Sequence, residues 1–172
     1  MALVIFLRAV NVGGHQTFKP SVLAKALSAY NVTSIGAAGT CVAKGKATEV
    51  QLRKAITNAL HFSPEIMIVD GDEITALLKV KAMAEPEDGA GRFLSVMAKP
   101  LVSKPRLPIA VPEGDDWQIQ IVAVKGQCVL TLRRPVGNRQ LYANEIVEKT
   151  FKASATTRNW ATLEKICDVV SE

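Results

Sequence analysis

At 172 residues, with 48% apolar side chains and a net charge of +5, the chain is long enough to bury a sizeable core and too apolar to be a disordered segment. Cys41, Cys128 and Cys167 are odd in number and far apart, which argues against a disulfide framework or a structural zinc site and points to reduced thiols. No apolar run approaches membrane-spanning length, and the first has neither a cationic leader nor a cleavage site, so the protein is expected in the cytoplasm and off the membrane.

The first predicted element is Leu3-Val4-Ile5-Phe6-Leu7, ended by Arg8 and followed by the polar corner Asn11-Val12-Gly13-Gly14. A short, β-branched, unbroken apolar run of this kind reads as a strand buried on both faces, the centre of a sheet. Lys19-Pro20 then opens a helix with proline at its permitted first position, and Leu23, Ala26, Leu27 and Tyr30 mark one face of it, with Asn31 as its stop. Two short β-type runs, Val32 to Ile35 and Thr40 to Ala43, flank Gly36-Ala37-Ala38-Gly39 as a hairpin or as one strand bent at a bulge. Thr48-Glu49-Val50-Gln51 has the capping-box pattern ahead of a helical stripe, Leu52, Ala55, Ile56, Ala59 and Leu60. Glu65 to Val69 reads as a strand, and Asp70-Gly71-Asp72 caps a shorter helix with Ile74, Leu77 and Leu78 on its apolar face. Strand, helix, strand, strand, helix, strand is the ferredoxin-like split βαβ order, which implies an antiparallel sheet with both helices on one face.

Residues 85 to 91 read as the connection between an N-terminal half, 1–84, and a second, smaller α+β half, 92–172. The second half is expected to hold a strand from Arg92 to Ala98, then an ordered loop or edge segment punctuated by Pro100, Pro105, Pro108 and Pro112. Trp117 to Val124 and Gln127 to Leu132 form a hairpin turning at Lys125-Gly126. Two C-terminal helices follow, Asn138 to Phe151 and about Arg158 to Val170. The fold class is therefore α+β.

Most catalytic constellations are missing. His15 and His61 have no i, i+4 partner, so neither a metal nor any other cofactor is expected. His61 reads as structural, while His15 beside the glycine corner is a candidate acid or base. Gly39 to Lys46 has the wrong spacing for a phosphate loop, since five residues separate its glycines and Ala47 follows Lys46. In Ser154-Ala155-Thr156-Thr157-Arg158-Asn159-Trp160, Thr156 or Thr157 can cap the last helix, which places the Arg158 cation where the helix dipole prefers an anion. Either an internal carboxylate offsets it, or Arg158 and the helix N–H groups hold an external anion.

The opening LVIFLRAVNVGG and the closing ATTRNWATLEKI resemble the end signatures of the bacterial domain of unknown function 1697 family, which begin with Arg-Gly-Ile-Asn-Val-Gly-Gly and end with Thr-Thr-Arg-Asn-Trp. The resemblance implies an α+β fold with a ferredoxin-like N-terminal half, a cytoplasmic protein, and no established activity. Ala9 stands where family members usually have glycine. Gly36 to Val42 replaces a segment usually written Gln-Ser-Gly-Asn-Val, and the proline-rich stretch near 100 to 112 stands where others often have a helix.

Three functional expectations follow. The first is a binding protein in which Arg8, Asn11, Gly13, Gly14, Thr157, Arg158 and Asn159 line one cleft and hold a small anionic or nucleotide-like ligand. The second is a hydrolase or transferase using that cleft, with His15 as acid or base. The third is nucleic-acid binding by the basic second half, because residues 91–172 carry twelve Lys and Arg against eight Asp and Glu. Arg92, Lys125, Arg133, Arg134 and Arg139 would form that surface.

Overall fold

The first apolar run becomes the central strand β1 (Leu3–Arg8), in which Val4, Ile5, Phe6 and Leu7 are at most 1% exposed. Burying side chains of this size stabilises the fold by about 1.5–3 kcal/mol each relative to leaving them in water. The structure is a computed structural model that describes residues 1–86, 88–135 and 140–172. Two compact units divide it: residues 1–73 with 164–172, and residues 74–163. Among the described residues the protein is α+β, with two antiparallel sheets and five helices.

In the first unit, β1 lies between β3 (Thr40–Ala43) and β4 (Glu65–Asp70), and β2 (Val32–Ile35) pairs outside β3. All three pairings are antiparallel, with Ile5 opposite both Cys41 and Ile68. Ile5, Leu7, Cys41 and Ile68 form one core cluster with Leu23 of α1 (Pro20–Ala26), with Leu27, and with Leu52 and Ile56 of α2 (Glu49–Ala59). The expected two-residue periodicity of the strands and the 3.6-residue stripe of the helices thus meet in a single core.

Local chemistry fixes the ends of these elements. Thr48 Oγ1 accepts from Gln51 N at 3.2 Å, and Gln51 Oε1 accepts from Thr48 N at 2.9 Å, so α2 opens on a complete capping box. After α1 the chain tightens into a 3-10 turn, Ser28–Tyr30, and stops at Asn31 in the left-handed region (φ +50°). The Asp70 carboxylate accepts from Asp72 N at 2.9 Å at the start of α3 (Gly71–Leu78). A Cβ on Gly71 would lie 3.0 Å from Val170 Cγ2, so the far end of the last helix packs on this turn.

The second unit holds the strands β5 (Gly91–Met97), β6 (Ile109–Val111), β7 (Ile119–Lys125), β8 (Cys128–Arg133) and β9 (Ala155–Asn159), in the order β6-β7-β8-β5-β9. The expected hairpin is β7–β8, and the proline-punctuated segment supplies the short edge strand β6. Ala143, Ile146 and Val147 of α4 (Ala143–Phe151) pack on Met97, Ile119, Ile121, Val129 and Ala155.

Two boundaries differ from the sequence reading. The helix expected from Asn138 begins at Ala143, because Tyr142 is still extended (φ −112°, ψ 135°); residues 138 and 139 lie outside the described residues. More important, Thr156, Thr157 and Arg158 do not start the last helix. They belong to β9, paired to β5 with Ser95 opposite Thr157 and Leu94 opposite Arg158, and α5 runs from Trp160 to Ser171. Two adjacent β-branched threonines favour extended backbone, and the edge of β5 offers their N–H and C=O groups partners.

Candidate functional site

The seven candidate site residues fall into two sets, one on each unit. Arg8 closes β1, and its guanidinium lies 3.6 Å from the Glu65 carboxylate, directly across the strand pair, with both side chains more than a third exposed. Beyond it the backbone bends by left-handed residues: Ala9 (φ +56°), Asn11 (+54°), Gly13 (+57°), Gly14 (+77°) and Gln16 (+48°).

Much of this corner is one tight turn. His15 N donates to Val12 O at 3.0 Å and Asn11 N to Gln16 O at 3.2 Å, closing a miniature hairpin around Gly13-Gly14. Positive φ at both central residues is the signature of a type I′ turn, and it supplies a physical reason for the two glycines. Sterics supply none, since a Cβ on Gly14 would meet nothing within 4 Å. Among the described residues the N–H groups of Gly13 and Gly14 have no partner, and both residues are exposed.

Asn11 holds the corner down. Its Nδ2 donates to Ala37 O at 2.8 Å, in the β2–β3 turn, while its Oδ1 accepts from Phe18 N at 2.9 Å. A side chain bonded through both its amide atoms, to groups 26 and 7 residues further along the chain, fixes the loop against the sheet. The turn beneath it is equally constrained, because a Cβ on Gly39 (φ +77°) would lie 2.6 Å from Val10 Cγ2 and 2.8 Å from Leu7 Cβ. His15 is exposed, and among the described residues its side chain has no hydrogen-bond partner to orient it as an acid or base.

The second set is ordered quite differently. Thr157 Oγ1 lies 2.7 Å from Ser95 Oγ and donates to Asn144 Oδ1 at 2.9 Å, tying β9 to β5 and α4. Arg158 is 8% exposed, and one guanidinium nitrogen donates to Thr156 Oγ1 at 2.8 Å and to Thr157 O at 2.9 Å. Burial pushes its pKa down to about 10, which leaves it charged at neutral pH. Asn159 caps α5: its Oδ1 accepts from Thr162 N and from Thr162 Oγ1, each at 3.0 Å.

The cations of the third expectation are also placed, apart from Arg139, which lies outside the described residues. Arg92 stacks 3.8 Å from the Trp160 ring centroid and donates to Met83 O. Arg134 stacks 3.7 Å from Trp117 while its Nε donates to the Asp88 carboxylate at 2.7 Å, which holds that carboxyl below its usual range. Arg133 lies 5.0 Å from the Tyr142 ring, and Lys125 is exposed at the hairpin tip. These cation–π pairs were not legible in the sequence, where each aromatic partner is 9 to 68 positions away from its arginine.

Among the described residues no three His, Cys, Asp or Glu side chains converge as a metal site, and no helix is long and apolar enough to cross a membrane. Comparison with known proteins bears on the fold and the family. A family model described as Protein of unknown function (DUF1697) matches residues 1–122. A solved structure, "The structure of conserved bacterial protein SP0830 from Streptococcus pneumoniae", matches over 97% of both chains with 15% identity and a TM-score of 0.61. That likeness is one of fold. A search of curated proteins found no match.

Proposed function

The chain belongs to the family described as Protein of unknown function (DUF1697), and for this member we propose binding of a small anionic or nucleotide-like ligand in the cytoplasm. Arg8, Asn11, Gly13 and Gly14 are assigned to it on the first unit; Thr157, Arg158 and Asn159 are assigned as a separate, secondary anion-holding set within the second unit. We also read residues 1–84 as a ferredoxin-like half, a reading supported by the strand order β2-β3-β1-β4, and 92–172 as the smaller α+β half.

The observation that carries the reading is the pair of open glycine N–H groups on a corner fixed from below. Successive N–H donors in a left-handed turn form a concave anion cradle, and a corner whose conformation is set beforehand loses little entropy on binding. Arg8 contributes a nearby cation in sequence whose ion pair with Glu65 is half-exposed, hence worth under about 1 kcal/mol and exchangeable for a ligand phosphate or carboxylate. On the second unit the supporting features are the retained charge of Arg158 and the first turn of α5 behind Asn159.

The test is calorimetric titration of the full chain with inorganic phosphate and with ADP, repeated on Gly13→Asn. Asparagine keeps the left-handed turn but adds a side chain over the donors. Binding that weakens about tenfold at an unchanged melting temperature supports the corner as the site. Undetectable binding of both probes, or the same affinity in parent and variant, overturns it.

A further inference from the structure

The second unit contains a half-open cavity of about 630 Å³ that the reading above does not use. Its wall comes from three stretches: the end of α3 and the turn after it, the proline-punctuated segment 101–107, and the tip of the β7–β8 hairpin. Leu101 N donates to Gly126 O at 3.4 Å, which brings the second stretch to the third. A register shift between Ile121 and Ala123 bends β7 just before the tip, as bulges do where a strand must re-aim its side chains.

The lining is chemically two-sided. Leu77, Leu101, Leu107, Ala123 and Val124 make an apolar body, and Lys104 and Lys125 are its charged residues, with no Asp or Glu in the wall. Both lysines are exposed, and neither has an ion-pair partner among the described residues. Val102 is fully exposed and Val80 is 37% exposed, so apolar surface of this wall is left in water. A cavity of several hundred cubic ångströms, mostly apolar and with a few charged groups of one sign, has the anatomy of a small-molecule site.

We propose that this cavity binds a free amphipathic monocarboxylate, its hydrocarbon chain among the leucines and Val124 and its carboxylate between Lys104 and Lys125. Charge complementarity decides the head group: a cationic amphiphile would meet two uncompensated ammonium groups and no carboxylate. Volume and lining decide the tail, because each methylene moved from water into such a wall contributes about 0.8 kcal/mol. The inference is independent of the glycine corner, which lies on the other unit.

The experiment is a titration of the full chain with monomeric sodium decanoate, followed by calorimetry and by amide chemical shifts, with decylamine as the charge control. Saturable one-to-one binding that moves the amides of residues 101–107 and 123–126, is at least tenfold weaker for decylamine, and falls about tenfold in the Lys104→Glu/Lys125→Glu double variant supports the proposal. Both changes are on exposed side chains, so the variant is expected to melt as the parent does, and Gly13→Asn should bind decanoate normally. Equal binding of decanoate and decylamine, an unaffected double variant, or association with anionic lipid vesicles in place of the monomeric acid would overturn it.

Discussion

Residues 9–16 and 154–160 are the two polar signatures of the chain, and they are opposite kinds of structure. The first is exposed, left-handed at five positions and leaves two backbone donors open. The second is extended and mostly buried, with every polar side chain from Thr156 to Asn159 hydrogen-bonded inside its own unit. Polar residues beside a sheet can therefore be arranged for an outside partner or consumed in building the sheet. What separates the cases is whether a neighbouring strand edge is open to them.

Substitutions sharpen this contrast. The largest effect is expected at Gly39, under the first signature: in Gly39→Ala the methyl group meets Val10 and Leu7 well inside contact distance at a φ of +77°, so the loss should exceed about 3 kcal/mol in urea unfolding. Next comes Arg158→Ala, which removes a buried side chain and strands Thr156 Oγ1 and Thr157 O; the expected loss is about 2–3 kcal/mol. Thr157→Val should cost about 1–2 kcal/mol by leaving Asn144 and Ser95 without the hydroxyl between them. The smallest effect has the opposite sign. Ala9→Gly relieves a left-handed alanine and should stabilise by about 0.5–1 kcal/mol, after the greater freedom of glycine in the unfolded chain is subtracted. If Arg158→Ala proved neutral while Asn11→Ala unfolded the protein, the contrast between a signature built into its sheet and one left open at the surface would be reversed.

Ala9 also explains a departure noted in the sequence. The family pattern has glycine at this position, and φ +56° is where glycine is favoured. The strain is tolerated because the paired strand β1 holds the chain before it, and Asn11 with the type I′ turn holds it after.

Legibility followed the range of the interactions. β1 announced itself by an unbroken apolar run, α2 by a capping box and stripe, and β7–β8 by two β-rich runs around Lys125-Gly126, all signals within about ten residues. β9 did not, because Ala-Thr-Thr-Arg-Asn reads equally as the approach to a helix, and the partner that makes it a strand is β5, about 60 positions earlier. For the candidate site, a turn at the polar corner was legible from Asn11, Gly13 and Gly14. The anchoring of Asn11 to Ala37 and Phe18 was not, since nothing local in the sequence encodes a side-chain bond to a distant turn. The cavity between segment 101–107 and the hairpin tip was hidden for the same reason.

The most direct measurement is an amide NMR titration of the full chain with inorganic phosphate. Saturable downfield shifts of the Gly13 and Gly14 N–H signals are expected, with the decanoate-responsive amides of residues 123–126 unmoved. Silence at both glycines while signals elsewhere respond would contradict binding at the corner.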